Sequence, residues 1–265
     1  GRQVLGDAGI VGAMDRETIV DYMNAHYNAD SMILAAAGRV DHDQLVALAS
    51  EAFSVLPQGP EAEREAAHYT GGHIIEERKL EQAHLLLGFE GVGYRDPDFY
   101  SVAVLSTLFG GGMSSRLFQE IREKRGLVYS IYSFGSSYSD GGLFGIYAGT
   151  GKDETAELIP LVCEEIHKMM DSVGEQELTR ARAQIKASIL MGLESSSSRC
   201  EQLARQMMVF GRPLPTEETV AHIEAVDVEA ILRVARRIFT SSLTVAALGP
   251  VSKLEAYGDI QKRLA

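Results

Sequence analysis

Apolar and polar positions in the first part of the chain recur with the spacing of amphipathic helices. This spacing predicts helices over residues 15–27 and 42–55, on either side of a strand-like apolar run at Met32–Ala37. The run Leu56-Pro-Gln-Gly-Pro60 then breaks the pattern, because proline and glycine interrupt regular structure. The pattern therefore predicts a helix–strand–helix segment that ends near residue 60.

The rest of the chain begins with strand-like runs at Gly72–Arg78 and Ala83–Phe89, followed by an apolar helix that ends at Phe109. Two further strand-like runs, residues 127–138 and 142–150, flank the turn sequence Asp140-Gly-Gly and predict a β-hairpin. The later pattern predicts helices at Lys152–Met170, Glu175–Met208, Thr216–Val226 and Val228–Phe239, then a strand at Leu243–Leu248 and a polar C-terminal helix.

The order of these elements predicts an α+β fold. Strands and helices do not follow a strict βαβ repeat, and the hairpin implies antiparallel pairing. We therefore expect homologous units, each with a mostly antiparallel sheet and helices packed on one face.

An internal repeat supports two such units. Asp15–Tyr27 is similar to Asp227–Phe239, and Met32–Val40 is similar to Leu243–Val251; each copy reads as a helix, a short loop and a buried strand that ends in Gly-x-Val. A degenerate repeat that arose by chance is the alternative.

The two copies are preceded by segments of very different length. Residues 70–226 lie before the second copy, but only 14 residues lie before the first. We therefore expect an incomplete first unit at 1–60, a charged linker at 61–69 and a complete second unit at 70–265. A long surface loop is the alternative for the linker.

One segment of the second unit is unusually specific. Gly110-Gly-Gly-Met-Ser-Ser-Arg-Leu-Phe118 is followed by Ile121-Arg-Glu-Lys-Arg-Gly-Leu-Val-Tyr-Ser130 and later by Tyr138-Ser-Asp-Gly-Gly-Leu-Phe-Gly-Ile-Tyr147. The glycines can cap a helix in the left-handed conformation, or they can form a side-chain-free wall that a peptide backbone approaches.

These sequences closely resemble the second-domain signature of the pitrilysin-type zinc metallopeptidases, in particular the mitochondrial-processing-peptidase-like branch. The resemblance covers essentially the whole chain. It implies two homologous halves that form a chamber, and it implies that Arg122 and Tyr129 hold the substrate backbone while Gly110, Gly111 and Gly112 line the cleft.

Arginine and tyrosine suit such a role, because their N–H and O–H groups donate to peptide carbonyls. The alternative from the residues alone is that Arg122 forms a surface ion pair and Tyr129 packs in the sheet.

The family's catalytic motif, H-x-x-E-H, is absent from this chain. In that family it supplies two zinc ligands and the base, and a distant glutamate completes the site. The nearest approach is His73-Ile-Ile-Glu-Glu77, which lacks the second histidine and reads as a strand. We therefore expect no catalytic or metal-binding residue here, and zinc only in the intact parent protein.

Composition limits the classes of molecule that this chain could bind. A formal charge of −12 over 265 residues argues against nucleic-acid binding and permits basic peptide ligands, although a role in solubility explains it equally well. Cys163 and Cys200 lack C-x-x-C spacing, which indicates reduced thiols and a cytoplasmic location, or else a single bridge. No apolar run is long enough to span a bilayer.

We therefore predict the C-terminal portion of a zinc-dependent endopeptidase that is inactive alone. Its partners would be a peptide or unfolded polypeptide substrate and either the missing N-terminal half or a catalytic partner chain, with a possible homo- or heterodimer. The alternatives are a non-catalytic partner or core-type subunit that serves peptide binding or assembly, and an α+β module that dimerises.

Overall fold

A computed structural model describes residues 4–59 and 65–265. Contacts within the chain define two compact units. The first comprises Gly1–Glu65, as far as these residues are described, together with Ser196–Met208; the second comprises Ala66–Ser195 and Val209–Ala265.

The second unit is built on a five-stranded sheet in the order β1-β5-β2-β4-β3. β1 pairs with β5 in parallel, and every other neighbouring pair is antiparallel. The predicted α+β class with a mostly antiparallel sheet is therefore confirmed. The strands are β1 (Gly72–Glu77), β2 (Ala83–Gly91), β3 (Val128–Ser137), β4 (Gly142–Thr150) and β5 (Thr244–Gly249).

Helices cover one face of this sheet. Along β2, Leu85, Leu87 and Phe89 are buried in the core, whereas His84 and Leu86 on the opposite face remain partly exposed. The helices of this unit are α4 (Phe99–Gly110), α5 (Thr155–Asp171), α6 (Glu175–Gly192), α8 (Thr216–Glu224), α9 (Val228–Phe239) and α10 (Tyr257–Leu264).

Phe239 at the end of α9 lies at the centre of the core. Its ring lies 5.2 Å from the ring of Phe89, 5.5 Å from that of Phe109 and 5.6 Å from that of Phe144, measured between centroids. These rings come from β2, α4 and β4, so one aromatic cluster joins the sheet to two helices. Edge-to-face and tilted arrangements of this kind are favourable beyond the area they bury.

The first unit is helical in its described part. It contains α1 (Ala8–Ala13), α2 (Arg16–His26), a 3-10 turn (Ala29–Ser31), α3 (His42–Ala52) and most of α7 (Ser196–Phe210). None of these helices has a buried residue. The predicted strand at Met32–Ala37 is wrong, because this run finds no partner strand within the described part of its unit.

The two repeat copies share their helix start. Asp15 accepts a hydrogen bond from the backbone N–H of Thr18, and Asp227 accepts one from that of Ala230, each over 2.8 Å. A carboxylate at this position satisfies a free N–H of the first helical turn. The copies then differ, because only the second continues into a paired strand, β5.

The helical stretch predicted at Glu175–Met208 forms two helices, one ending at Gly192 and one beginning at Ser196, so the serine run lies at the bend between them. Of the predicted linker, residues 61–64 lie outside the described residues; beyond them, the N–H of Ala67 donates to the carboxylate of Asp140 over 2.8 Å.

Helix α4 and strand β3 approach so closely that glycine is required at Gly110. A Cβ there would lie well inside van der Waals contact with the backbone N of Ser133. We expect Gly110→Ala to lower the free energy of unfolding by about 1–3 kcal/mol, because neither backbone can give way cheaply. Urea denaturation followed by circular dichroism measures this change.

Gly258→Ala is the matched control. Gly258 is also helical, but it is exposed and nothing lies within 4 Å of its Cβ position. There the same change should be neutral or should stabilise by at most about 0.5–1 kcal/mol, because Gly258 is the second residue of its helix and alanine loses less conformational freedom than glycine on folding. Equal effects of the two substitutions would contradict the packing argument.

Candidate substrate-binding site

The signature residues connect helix α4 to strand β3. α4 ends at Gly110, a turn follows, and a helical segment passes into a π-helical stretch at Phe118–Glu123 before β3 begins at Val128. The sequence predicted this helix–glycine–helix–strand order but not the π-helical hydrogen bonding.

The three glycines are explained by close packing and not by the left-handed cap that one interpretation invoked. None of them has a positive φ. Gly110 is buried against β3, while the carbonyl of Gly111 accepts a hydrogen bond of 2.8 Å from the Gln184 side chain on α6. The carbonyl of Gly112 accepts from the Ser115 hydroxyl over 2.6 Å. Gly111 is exposed and Gly112 partly exposed.

Arg116 anchors the turn to the start of α6. Its guanidinium donates to both carboxylate oxygens of Glu177, over 2.9 and 2.8 Å, and to the carbonyl of Ser172 over 2.7 Å. The Glu177 carboxylate also accepts from the N–H of Gly174, which caps the helix. These bonds, led by the one from Arg116, hold the pKa of Glu177 below its usual value.

Arg122 lies in the π-helical stretch, where the N–H of Lys124 bonds to the carbonyl of Gln119, five residues earlier. Its side chain is exposed, and its guanidinium carbon stands 4.8 Å from the centroid of the Phe118 ring. Among the described residues, no hydrogen bond or ion pair involves this guanidinium. Single π turns inside helices are frequent at functional sites.

Gly126 ends this helical segment. Its φ of +66° is the left-handed conformation, and its Cβ position is open, so the backbone angle alone accounts for glycine. The chain then reverses, with the N–H of Leu127 bonded to the carbonyl of Ile121 over 3.2 Å. Glycine thus sets where the π-helical segment stops and β3 starts.

Tyr129 occupies a β-bulge. Val128 is opposite Thr150 and Ser130 is opposite Gly149, so Tyr129 is one extra residue in β3. Its side chain is 61% exposed, and its hydroxyl has no hydrogen-bond partner in the part of the chain that the structure describes. Bulges often occur beside functional sites, where they redirect a side chain.

Arg122 and Tyr129 therefore share three properties. Both lie where regular backbone geometry is interrupted, both are accessible to solvent, and neither polar group is satisfied within the described residues. The surface ion pair for Arg122 and the packed position for Tyr129 are not found. Their role in holding substrate, like the lining role of Gly110–Gly112, stays a prediction.

The described residues do not fit a zinc ion. Across residues 4–59 and 65–265, no three His, Cys, Asp or Glu side chains lie together as metal ligands would. His73 stands on β1 with its ring stacked 4.6 Å from that of Tyr257, and the Nδ1 of His84 lies 2.7 Å from the Tyr147 hydroxyl. No chemical step can be derived through zinc with these residues.

The sequence analysis missed two features of this unit. One is the pairing of Phe118 with Arg122, which the four-residue spacing of an aromatic ring and a cation on a helix signals. The other is a shallow cavity of about 280 Å³ on the open face of the sheet, whose signal was the alternation along β2. Its lining includes Ile74, His84, Leu86, Tyr147 and Leu248.

A family model described as the peptidase M16 inactive domain matches residues 13–185, which include α4, the glycines, Arg122 and Tyr129. This match covers more than half of the chain. The chain belongs to the peptidase M16 family. The resemblance to pitrilysin-type zinc peptidases of the processing-peptidase-like branch is thereby confirmed.

Curated relatives of this M16 chain are longer than it is. An uncharacterized zinc protease of Rickettsia felis is 39% identical over 251 residues, which cover 94% of this chain and 61% of that protein. The beta subunit of the human mitochondrial-processing peptidase is 34% identical over 278 residues, covering 100% of this chain and 57% of that subunit. The chain thus spans about three fifths of the relatives it matches.

A solved structure has the same fold. A chain of complex III2 from Candida albicans, with Inz-5 bound, superposes with a TM-score of 0.91 over 100% of this chain and 66% of that one. The identity is 22%, so this likeness establishes the fold alone. Within the described residues of the M16 chain, no helix is both long and apolar enough to cross a membrane.

The Arg116–Glu177 pair should make stability depend on pH. Because the folded-state pKa of Glu177 is lowered, its stabilisation is present above the unfolded-state value of about 4.3 and is lost as pH falls through the folded value. We expect Glu177→Gln to cost about 1–3 kcal/mol at neutral pH. The difference from the unsubstituted chain should close below about pH 4 in urea denaturation series.

Glu175→Gln is the control for charge in the same helical turn. Glu175 is exposed, and the change there should cost less than about 0.5 kcal/mol at any pH. A gap for Glu177→Gln that persists unchanged at low pH would show that lost packing, and not the carboxylate, causes the effect.

Proposed function

We propose that this chain is the C-terminal portion of a zinc-dependent endopeptidase of the processing-peptidase type, and that it forms the substrate-holding half of a peptide-cleavage chamber. The names of its relatives and its match to the inactive domain of a peptidase family support a metallopeptidase parent. Zinc, its ligands and the catalytic base would belong to the parent outside this chain.

The observation that carries the proposal is the state of Arg122 and Tyr129. Both side chains are accessible at a π turn and a β-bulge, irregularities that often accompany functional sites, and neither forms a hydrogen bond or ion pair within the described residues. Both side chains donate hydrogen bonds, so both suit the carbonyl groups of an extended peptide.

The work of this chain in the proposed reaction is to bind and orient. The Arg122 guanidinium and the Tyr129 hydroxyl would donate to substrate carbonyls, and the exposed backbone at Gly111 and the partly exposed backbone at Gly112 would line the path of the peptide. Fixing the peptide in one register favours reaction by removing its rotational freedom before bond cleavage. The net charge of −12 favours basic peptide segments and disfavours nucleic acids.

The surface of the first unit supports the proposal of a binding partner. Large apolar side chains that are exposed there include Ile19, Val46, Leu48 and Phe53. An exposed apolar surface of this extent is typical of an interaction site. We propose that the N-terminal half of the parent, or a catalytic partner chain, covers it; a homodimer is the other arrangement that this surface allows.

A reducing, cytoplasmic location is also part of the proposal. Both cysteines are free thiols, and burial raises the pKa of Cys163 to about 12, which keeps that thiol unreactive.

The second candidate function is a non-catalytic partner or core-type subunit that serves peptide binding or assembly. It is supported by the shared fold with a complex III2 chain. The presence or absence of H-x-x-E-H in the parent protein separates the two.

Peptide binding tests the roles of Arg122 and Tyr129 in the chain as it stands. With a fluorescein-labelled, unstructured, arginine-containing peptide, we expect Arg122→Ala to raise Kd about tenfold and Tyr129→Phe about threefold, because each removes a hydrogen-bond donor. Fluorescence anisotropy measures both values.

Lys124→Ala is the control, since Lys124 is a largely exposed cation on the same segment. It should change Kd less than about twofold. Equal losses for Lys124→Ala and Arg122→Ala would attribute binding to general charge and contradict the proposal.

Hydrolysis of a quenched fluorescent peptide tests the division of labour. The chain alone should show no zinc-dependent cleavage, whereas the longer parent that contains it should cleave and should lose activity with a chelator. In that parent, Arg122→Ala should lower kcat/KM about tenfold. Zinc-dependent cleavage by the isolated chain, once contaminating proteases are excluded, would overturn the proposal.

A further inference from the structure

We infer that Phe118 is a positioning residue for Arg122: its ring holds the guanidinium in the orientation in which that group meets a peptide. This inference rests on the proposed substrate-holding role. The guanidinium carbon lies 4.8 Å from the ring centroid, within the distance of roughly 6 Å at which a cation is attracted to an aromatic face. A planar guanidinium can also stack on the ring and keep its edge donors available.

Two pairs with four-residue spacing divide the segment into an inner and an outer face. Leu117 and Ile121 are fully buried, whereas the next pair, Phe118 and Arg122, is half-buried and exposed respectively. The buried pair fixes the segment on the core. The backbone at Phe118 is therefore fixed by its buried neighbours, and the exposed part of the Phe118 ring is available to contact Arg122.

The π turn makes this support specific to Arg122. The hydrogen bond from the N–H of Lys124 to the carbonyl of Gln119 encloses residue 122 in a π turn. This turn sets the direction in which the Arg122 side chain projects. Charged neighbours do not compete, because Lys124 and Arg125 both pair with Glu120. Among the described residues, Phe118 is the aromatic ring over which the Arg122 guanidinium lies.

The restraint has a functional consequence. An exposed arginine samples many rotamers, and binding must immobilise it at an entropic cost. A ring that already restricts the guanidinium removes part of that cost before the peptide arrives.

A double-substitution cycle on peptide binding tests the inference. In the anisotropy assay, Phe118→Leu should raise Kd about threefold relative to the unsubstituted chain. Phe118→Tyr keeps the aromatic face and should leave Kd unchanged. In the Arg122→Ala background, Phe118→Leu should add no further loss, because the ring acts through the arginine. The Arg122 Nε–H resonance, shifted by the ring current, should move in Phe118→Leu and stay in Phe118→Tyr.

Each result supports or contradicts the positioning role of Phe118. Losses that add between the two sites, or a Phe118→Leu chain that binds peptide unchanged while Arg122→Ala weakens binding, would overturn the positioning role. If Arg122→Ala leaves binding unchanged, the proposed function fails instead, and the Nε–H resonance still decides whether the ring holds the guanidinium. An unmoved resonance in Phe118→Leu refutes the contact itself.

Discussion

The close contact between helix α4 and strand β3 is the constraint on which the candidate site depends. Gly110 lets the two backbones meet, and the Ser133 hydroxyl then donates to the carbonyl of Ser106 over 2.8 Å inside the contact. The signature segment leaves α4 at this contact and returns as β3. Arg116, bound to Glu177, restrains it once more along the way. The positions of Arg122 and Tyr129 are thus set by packing elsewhere in the unit.

Within the described part of this unit, helices pack on one face of the sheet that supports this contact. The aromatic cluster around Phe239 joins β2, β4 and α4 into one core, so burial of these rings stabilises helices and strands together. The opposite face carries partly exposed side chains such as His84, Leu86 and Tyr147.

The regular parts of this unit were predictable because their apolar side chains recur clearly at the spacing of a strand or a helix. The hairpin of β3 and β4 follows from alternation around Asp140-Gly-Gly, and α9 follows from its apolar stripe and the Asp227 cap. The strand expected at Met32–Ala37 failed for a physical reason: an apolar run specifies burial, but a strand also needs a hydrogen-bonding partner.

The sequence named the candidate residues but did not indicate the geometry around them. Resemblance identified Arg122 and Tyr129, yet hydrophobic periodicity does not register a change from α- to π-helical bonding or one unpaired residue in a strand. The packing of Gly110 was also hidden, because its reason lies in β3, more than twenty residues along the chain. Sequence spacing indicates which residues are neighbours on one helix or strand, but it does not indicate contacts between separate elements.

The π turn at Phe118–Glu123 and the bulge at Tyr129 are each equivalent to one amino acid inserted into a regular element. Removing the extra residue would restore regular α-helical bonding in one element and regular pairing in the other, so the flanking residues would keep their faces and only the side chains beside the break would be redirected. A relative with single-residue gaps at these two points would keep the same core while turning both side chains away. Such gaps in an alignment therefore carry information about where these two side chains point and should not be removed as errors.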